Sequence, residues 1–483
     1  MTAIPPVLVL VLAGGRSDAL RALGRIRTAS ALPYGGKYRV IDFTLSNCVH
    51  SGLNRIGILT QYAPLSLHGH IGIGRAWDLD RRDGGIRLLQ PYVRQRETNW
   101  YRGTADALLQ NRNVIEDAQA RHILVLSGDL VYKMDYAELI RFHEEHDAAL
   151  TLVTVTAPSD EPERYGYVHA DRSGRVSGLE EKPKRAGGGA VSGAIYAFRA
   201  KELMDRLRRP GAGPDLVCDV IQPMIAEKTR VFAYPHRGYW RDIGTVESYY
   251  ESNMDLVRPA PPLNLYDPDW LIYTPSEDRS PAVFGVEAAA SQSLVSHGAR
   301  VEGTVRRSVL FPGVHVGPGA VVEDSIVMHD TRIGSGARLR RAIVDKRVVI
   351  GAGALVGQAE GSAEDSRGAA APGLCVIGKG SVIPASTRIG PDALIEIGRR
   401  RFDLLLLDIN IPTLNGLRLF EIMIQKGIDT PAIFVTGSAS PEVEARSLEL
   451  GAADFLRKPI RKEALLPRIR AILQRRQRAR ENL

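Results

Sequence analysis

Residues 7–15 read Val-Leu-Val-Leu-Val-Leu-Ala-Gly-Gly. Six apolar residues without a polar break suit a strand buried on both faces of a parallel sheet, and the Gly pair stops it. Glycines at such a stop let the chain turn sharply and bring amide groups against a phosphate, with the next helix start adding a favourable dipole. Gly35-Gly36-Lys37 follow, and then Tyr38 to Phe43, a strand-like run carrying Asp42. A strand, a Gly turn and a nearby Lys suggest a nucleotide site, although many α/β turns contain two glycines.

The pattern continues outward. Ile56 to Leu59 ends at Thr60-Gln61-Tyr62, Thr104 to Ile115 has helical spacing, His122 to Leu126 ends at Ser127-Gly128-Asp129, and Leu150 to Thr156 is another strand. Strands alternating with helices predict a mostly parallel sheet covered on both faces. Ligands of such sheets bind beyond the carboxyl ends of the strands, where Gly14-Gly15, Gln61 and Asp129 would gather. Asp129 alone could be a helix cap. A second acid, Asp242, follows in Tyr239-Trp240-Arg241-Asp242-Ile243-Gly244-Thr245. Two converging carboxylates would make a hard-oxygen site suited to Mg²⁺ on substrate phosphates. Lys182, in Glu180-Glu181-Lys182-Pro183, offers a point charge for a sugar phosphate or is a solvated loop lysine.

At 483 residues the chain needs two to four domains. With 44% hydrophobic and 24% charged residues its composition is that of a soluble protein. The net charge of +8 suits anionic phosphates; the arginines are dispersed and no aromatic-rich basic face points to nucleic acid. Cys48, Cys218 and Cys375 have no metal-ligand spacing and read as reduced thiols in the core. No run of about 18 apolar residues predicts a membrane span, and the first strand lacks the basic leader of a signal peptide, so a cytoplasmic protein without a membrane partner is expected.

Residues 7 to about 390 resemble the ADP-glucose pyrophosphorylase (glucose-1-phosphate adenylyltransferase) family. The stretches that carry the resemblance are L-A-G-G-R at 12–16, Y-G-G-K-Y-R-V-I-D-F at 34–43, L-S-N-C at 45–48, L-T-Q-Y at 59–62, N-W-Y-R-G-T-A-D-A at 99–107, S-G-D at 127–129, E-K-P at 181–183 and Y-W-R-D-I-G-T at 239–245. The resemblance implies a Rossmann-like nucleotidyltransferase domain (1–258), a linker (259–290) and a left-handed β-helix (291–390). It implies conversion of ATP and glucose 1-phosphate to ADP-glucose and pyrophosphate with Mg²⁺, for glycogen or α-glucan synthesis. Catalysis would rest on Arg16, Asp129, Lys182 and Asp242, with Asp129 and Asp242 holding the metal. Leu12, Ala13, Gly14, Gly15, Gln61, Gly103 and Thr104 would surround the nucleotide, and Gly166, Glu181, Lys182 and Ser192 the sugar phosphate. Trp100 and Tyr101 would lie on a loop coupling effector binding to catalysis. A homo- or hetero-tetramer and an anionic allosteric effector are also implied.

The sequence departs from that family where cations are expected. Members continue the Gly turn as G-G-R-G-x-R-L and follow it with R-A-K-P-A. Here Arg16 is kept, the second Arg falls on Ala19 and the Lys on Ala29, while Asp18 adds negative charge. Losing one oxyanion donor costs roughly 10²–10³ in rate. A catalytically weak regulatory subunit is therefore the alternative to an active enzyme, unless Arg16, Lys37 or Arg39 compensates.

Beyond the Pro-rich stretch 259–262, Val316-Gly317-Pro318-Gly319-Ala320, Ile333-Gly334-Ser335-Gly336-Ala337 and Ile350-Gly351-Ala352-Gly353-Ala354 recur every seventeen residues. Ile377-Gly378 and Ile389-Gly390 extend the series after a polar insertion around Gly361 to Gly368. This is a hexapeptide β-helix signature, with small aliphatic residues pointing inward and Gly at the corners.

From 391 the text changes again. Phe402 to Asp408 is a buried strand ending in acid, Ala432 to Thr436 is a second, and Asp454-Phe455-Leu456-Arg457-Lys458-Pro459 a third. This segment, 391–483, resembles a response-regulator receiver domain of flavodoxin-like fold. Asp408 would match the phosphoacceptor, Thr436 the switch hydroxyl, Phe455 the switch aromatic and Lys458 the lysine beside the phosphoryl group. Roughly the first two strands and their helix, including the strand that carries the acidic pair, are absent, so the segment should be weak in Mg²⁺ binding and left with an apolar edge. It reads as a degenerate module docked on the β-helix, an edge completed by another subunit, or a fused or truncated gene product. The last is favoured because half a doubly wound fold buries too little. A two-component signalling protein is the third functional reading, supported by this tail alone.

Overall fold

The computed structural model describes residues 5–91, 100–156, 164–183, 189–357, 373–390, 394–395, 404–408, 416–425, 431–437, 446–458, 460 and 462–481. Two compact units result, Met1–Ser280 with Leu294–His297, and Pro281–Ser293 with Gly298–Leu483.

The strands of the first unit are β1 Val7–Leu12, β2 Pro33–Tyr34, β3 Tyr38–Arg39, β4 Arg55–Leu59, β5 Gly85–Leu89, β6 His122–Ser127, β7 Leu130–Tyr132, β8 Leu150–Thr156, β9 Gly166–Ala170, β10 Val176–Glu181, β11 Ala190–Arg199, β12 Val231–Pro235 and β13 Trp240–Asp242. Its helices are α1 Val40–His50, α2 Leu65–Ile71, α3 Thr104–Gln110, α4 Arg112–Ala118, α5 Tyr136–Glu145, α6 Ala200–Leu207, α7 Gln222–Ala226 and α8 Val246–Asp255. The main sheet runs β10-β9-β11-β6-β1-β4-β5, with β8 on β11 and β12 on β8. β1 lies at its centre, parallel to β4 on one side and to β6 on the other. Its alternate residues feed two cores, Val7, Val9 and Val11 on one face and Leu8 and Leu10 on the other. That two-sided burial is why the strand tolerates no polar residue.

The sheet is mixed rather than mostly parallel. β11 runs antiparallel to β6, β8 and β9, and β9 antiparallel to β10. Tyr38 to Phe43 is also not one strand: only Tyr38 and Arg39 pair, and Asp42 lies in the first turn of α1. The Asp42 carboxylate accepts the Arg39 backbone N–H at 2.9 Å, satisfying a donor at the helix start. The expected helix over Thr104–Ile115 is two helices meeting at Asn111. Cys48 and Cys375 are buried thiols as expected, whereas Cys218 is exposed.

In the second unit, three parallel sheets stack their strands coil upon coil. Val301, Val316, Ile333, Ile350 and Ile383 pair in succession and are all nearly inaccessible, forming one inner column of a β-helix. The first strand of these stacks already lies at Val283–Phe284, inside the stretch 259–290 read as linker. The insertion around 361–368 lies outside the described residues. Strands Leu405–Asp408, Ala432–Thr436 and Asp454–Arg457 form a separate parallel three-stranded sheet. Helix Gly416–Gln425 packs Phe420 edge-on to Phe434 at 5.4 Å. Leu406 is about half exposed on the edge strand.

Candidate active site at the carboxyl edge of the main sheet

Asp129 follows β6 directly, and β13 pairs antiparallel with β7 so that Asp242 stands opposite Leu130. The Ile243 N–H donates to the Asp129 carbonyl at 3.0 Å, which holds the two acids side by side. Gly128 is required here by close approach, since a Cβ would lie 2.9 Å from Ser30 Oγ and 3.2 Å from Ala13 Cβ. Ser127 Oγ donates to the Asp129 carboxylate. Arg164 Nη2 donates to Asp242 Oδ2 at 2.6 Å and its Nη1 to Thr245 Oγ1 at 3.4 Å. Behind β13, Asp255 accepts from Tyr239 OH at 2.9 Å and from Arg241 at 3.3 Å, anchoring the strand from its buried side.

Burial raises the Asp129 carboxyl above its ordinary range, with Ser127 and Arg164 opposing. Burial, and then the neighbouring Asp129 charge, pushes Asp242 up to about 6, again against Arg164. Two clustered carboxylates, both raised by burial and one of them also by the other's charge, are short of positive charge. Among the described residues no cluster of three or more His, Cys, Asp and Glu could hold a metal. The pair therefore fits a hard divalent ion that takes its remaining oxygens from phosphates and water, as Mg²⁺ does, and not an all-protein cage.

The expected nucleotide residues line the same edge. Leu12 accepts from Gly128 N–H at 2.9 Å, Ala13 donates to Leu59 O at 2.9 Å, and Gly14 accepts from Tyr62 N–H at 3.3 Å. Gly14 allows this because a Cβ would meet Gln61 N at 2.7 Å; Gly15 faces open space. Gln61 is committed to Tyr101, accepting its backbone N–H at 2.6 Å and donating to its carbonyl at 3.3 Å. Gly103 leaves room for Pro214 O, and Thr104 Oγ1 accepts Leu216 N–H at 2.9 Å. Trp100 is exposed beside them. Arg16 Nε meets Asp18 Oδ1 at 2.5 Å, and its guanidinium lies 5.6 Å from the Tyr62 ring centroid. Ala19 is exposed, whereas Ala29 is 3% exposed in a short 3₁₀ turn.

The expected sugar-phosphate residues also come together. Gly166 pairs with Glu181 across β9 and β10, and a Cβ at 166 would lie 2.7 Å from Glu181 Oε2. Lys182, with a left-handed backbone at φ +50°, places Nζ 3.6 Å from Glu181 Oε1. Burial raises the Glu181 carboxyl against the pull of Lys182. Ser192 Oγ lies 3.0 Å from Tyr196 OH, one residue after Val191 pairs with Tyr167. Tyr165 meets Trp240 edge-on at 5.9 Å, and so joins this corner to the strand of Asp242. Arg164, Tyr165, Tyr196 and Trp240 were not singled out from sequence. Arg164 stands two residues before Gly166, and a cation so close to a proposed sugar residue was the available signal.

On the three-stranded sheet, Asp408 pairs with Val435 and Thr436 with Arg457, so Asp408, Thr436 and Lys458 stand at one sheet edge. Thr436 is buried and accepts Lys458 N–H through its carbonyl at 2.7 Å; the Lys458 side chain is exposed. The Asp408 side chain lies outside the described atoms.

Comparison with known proteins assigns the parts. The nucleotidyl transferase family pattern matches residues 8–258, a GlmU-like C-terminal hexapeptide pattern 282–372, and the response regulator receiver domain pattern 376–470. The hexapeptide match agrees with the expected left-handed β-helix. The chain is 46% identical over 402 residues to a glucose-1-phosphate adenylyltransferase of Thermotoga maritima, covering 82% of this chain and 95% of that protein. It is 38% identical over 395 residues to one of Acetivibrio thermocellus, covering 81% and 93%. A relative of that name from Geobacillus stearothermophilus is 45% identical over 320 residues, 65% of this chain and 83% of that protein. With this identity spanning nearly the whole of two relatives, and with the acid pair standing at the sheet edge where the nucleotidyl transferase pattern falls, the chain belongs to the glucose-1-phosphate adenylyltransferase family of nucleotidyl transferases.

Proposed function

We propose that the chain transfers the adenylyl group of ATP to glucose 1-phosphate, releasing pyrophosphate, as a cytoplasmic enzyme. The observation that carries this reading is the Asp129–Asp242 pair standing beside the Gly166–Glu181–Lys182 corner. A phosphate oxygen of glucose 1-phosphate would bond to the α-phosphorus of ATP as the bond to the bridging oxygen breaks, and the electron pair leaves with pyrophosphate. Bound Mg²⁺ would supply neutralising charge to the phosphates, held by Asp129 and Asp242. Lys182 would hold the sugar phosphate, Glu181 would accept from sugar hydroxyls, and the turn at Gly14-Gly15 would bring backbone against the nucleotide. The test is pyrophosphate release from ATP and glucose 1-phosphate with the full chain, which should depend on Asp129 and Asp242.

A second reading, a weakly catalytic regulatory subunit, is favoured by the ion pair that ties Arg16 to Asp18 beside Ala19. Equal rates for the unmodified chain and an Ala19→Arg variant would dismiss it. The proposal extends to a tetramer with an anionic effector; the net charge of +8 supports the effector, and light scattering tests the assembly. No described helix is long and apolar enough to cross a membrane.

A further inference from the structure

Residues 213–222 touch both the nucleotide edge and the sugar corner, running from Gly213 through a π-helical turn, Val217–Ile221, into α7. The amino end of this segment holds the nucleotide side. Pro214 O accepts the backbone N–H groups of Ala105 and Asp106 at 2.8 and 3.2 Å, and Leu216 N–H donates to Thr104 Oγ1 at 2.9 Å. Gly103 has no room for a Cβ, because Pro214 O stands in its place. Tyr101, two residues earlier, is tied to Gln61 through both of its backbone groups. At the other end, Gln222 Nε2 donates to Leu179 O at 3.1 Å, two residues before Glu181 on β10. Burial raises the Glu181 carboxyl, Lys182 opposes, and the Asp215 charge adds to the rise, which places Asp215 beside the same corner.

One carboxylate locks the segment between its two ends. Asp219 Oδ2 accepts Asp215 N–H at 2.7 Å, while Asp219 N–H donates to Asp215 O at 3.0 Å. Asp215 Oδ1 in turn accepts Val217 and Cys218 N–H at 2.9 and 2.8 Å. Gly213 is required by close approach, since a Cβ there would overlap the Asp219 carboxylate. Turns of the π type are rare and occur frequently at functional sites. The plain account of Asp219, an acid that closes a turn ahead of a helix, covers its bonds to Asp215. It does not explain why the same residues bond to α3 on one side and to β10 on the other.

We infer that segment 213–222 is a clasp between the two substrate sites, and that Asp219 is a positioning residue that sets where Glu181 and Lys182 stand relative to the nucleotide edge. The inference rests on the proposed reaction, whose two sites it joins. Asp219 acts through the Asp215 backbone and, along the π turn, through Gln222. A nucleotide seated at Gly103 and Thr104 fixes Pro214 and Leu216, and the clasp carries that order to β10. Once the clasp is loosened, each site forms without reference to the other.

The test combines pyrophosphate release with calorimetric titration, both on the full chain. Asp219→Ala is expected to raise the KM for glucose 1-phosphate about tenfold with kcat kept within about threefold, and Asp219→Asn, which keeps an oxygen for Asp215 N–H, to return KM to within about twofold. Gly213→Ala drives the carboxylate from its place and should behave as Asp219→Ala does. A merely structural role would lower the folded fraction, and so kcat, and leave KM alone. In the titration, α,β-methylene ATP with Mg²⁺ should tighten glucose 1-phosphate binding to the unmodified chain, and Asp219→Ala should abolish most of that gain. An unchanged KM in both Asp219→Ala and Gly213→Ala, or an equal gain from nucleotide in variant and unmodified chain, overturns the inference. If the unmodified chain binds glucose 1-phosphate but releases no pyrophosphate, the proposed function fails alone and the titrations still decide the clasp. No binding of glucose 1-phosphate to the unmodified chain overturns both.

Discussion

Two sheet edges in this protein carry an aspartate at or just after the end of a buried strand, and they are equipped differently. Beside Asp129 the chain brings Asp242 from β13, Arg164 from the approach to β9, and a sugar corner from β9, β10 and β11. Beside Asp408, among the described residues, stand Thr436 and Lys458, on a sheet of three strands. The receiver pattern begins at residue 376, yet strands Cys375–Ile377, Val382–Ile383, Arg388–Ile389 and Leu394–Ile395 pair with coils of the β-helix. Residues that would start a receiver are thus spent on another fold. On the proposed function, a strand-end aspartate would become a phosphate-handling site only when distant segments return to it. The largest effect should follow from removing one acid of the complete edge. Asp129→Asn or Asp242→Asn should lower pyrophosphate release by roughly 10³ or more, in keeping with loss of a transition-state cation site. Mn²⁺ binding, followed by electron paramagnetic resonance, should disappear with it. Activity retained at a tenth or better in both variants would break the comparison at its stronger end.

The first unit should also respond to acid. In the first unit His143 is fully buried against His122, with ring centroids 4.9 Å apart, and one ring nitrogen lies 2.8 Å from Thr151 Oγ1. Burial first, then His122, Arg199 and Arg121, lowers its pKa to about 3, with Asp147 opposing. Below pH 6.5 the unfolded chain takes a proton on this imidazole, while the folded chain refuses it until about pH 3. Stability is therefore lost as pH falls through that window, by up to about 1.4 kcal/mol per pH unit for one proton. Chemical denaturation at several pH values should show this slope, and His143→Gln, which keeps a group for Thr151, should flatten it. A slope unchanged in the variant would mean that another group carries the acid sensitivity.

The Gly turn gives a smaller effect, of opposite sign. From sequence, Ala19 and Ala29 look alike as two missing cations. The structure separates them, because Ala19 is exposed and Ala29 is nearly inaccessible. Ala19→Arg should raise pyrophosphate release by about tenfold, since the donor enters open space beside the phosphate edge. Ala29→Lys should instead lower stability by about 1–3 kcal/mol through overpacking, seen as an earlier midpoint in denaturant. Equal gains from both would show that the turn around Ala29 opens in use.

What sequence could tell follows from the range of the interactions. β1, the seventeen-residue coils and the strand ending at Asp408 are legible because burial writes itself into adjacent residues. Asp129 and Asp242 were legible as candidates, yet their meeting depends on the pairing of β13 with β7, which leaves no local trace. Asp42 was misplaced because V-I-D-F suits a strand by composition, and only the Arg39 N–H decides in favour of a helix start. The sheet was expected to be mostly parallel, and the antiparallel run of β11 was not foreseen because direction is set by connections and not by residue type. Arg164 was passed over because its partner is 78 residues away in sequence.

Arg164 gives a finer probe of the complete edge. Its guanidinium holds Asp242 with both side chains largely buried, at 17% and 23% exposure. A divalent ion held by Asp129 and Asp242, as proposed, would compete with that contact. Arg164→Gln should therefore tighten Mn²⁺ binding by about three- to tenfold, in the range of a charge-assisted hydrogen bond, while lowering the stability of the metal-free chain. Weaker Mn²⁺ binding in the variant would mean that Arg164 orients Asp242 for the metal and does not compete with it.

The smallest effect belongs to the weaker edge. Asp408 lacks a second acid among its strand neighbours, which are Val435 and, beyond it, Leu456. Among the described residues a divalent ion there would find one carboxylate where the other edge offers two, and a phosphoryl group would lose the metal that neutralises it. Among the described residues, Leu407, Phe420, Ala432, Phe434 and Phe455 make up the buried cluster on one face. Asp408→Asn should therefore leave pyrophosphate release within about twofold of the unmodified chain, the range expected when a substituted residue touches no reacting group. Incubation with acetyl phosphate and Mg²⁺ should label the chain far below one phosphoryl group per molecule. Stoichiometric labelling that vanishes in Asp408→Asn would reverse the comparison, since three strands would then suffice for what the larger edge achieves with two acids and four distant segments.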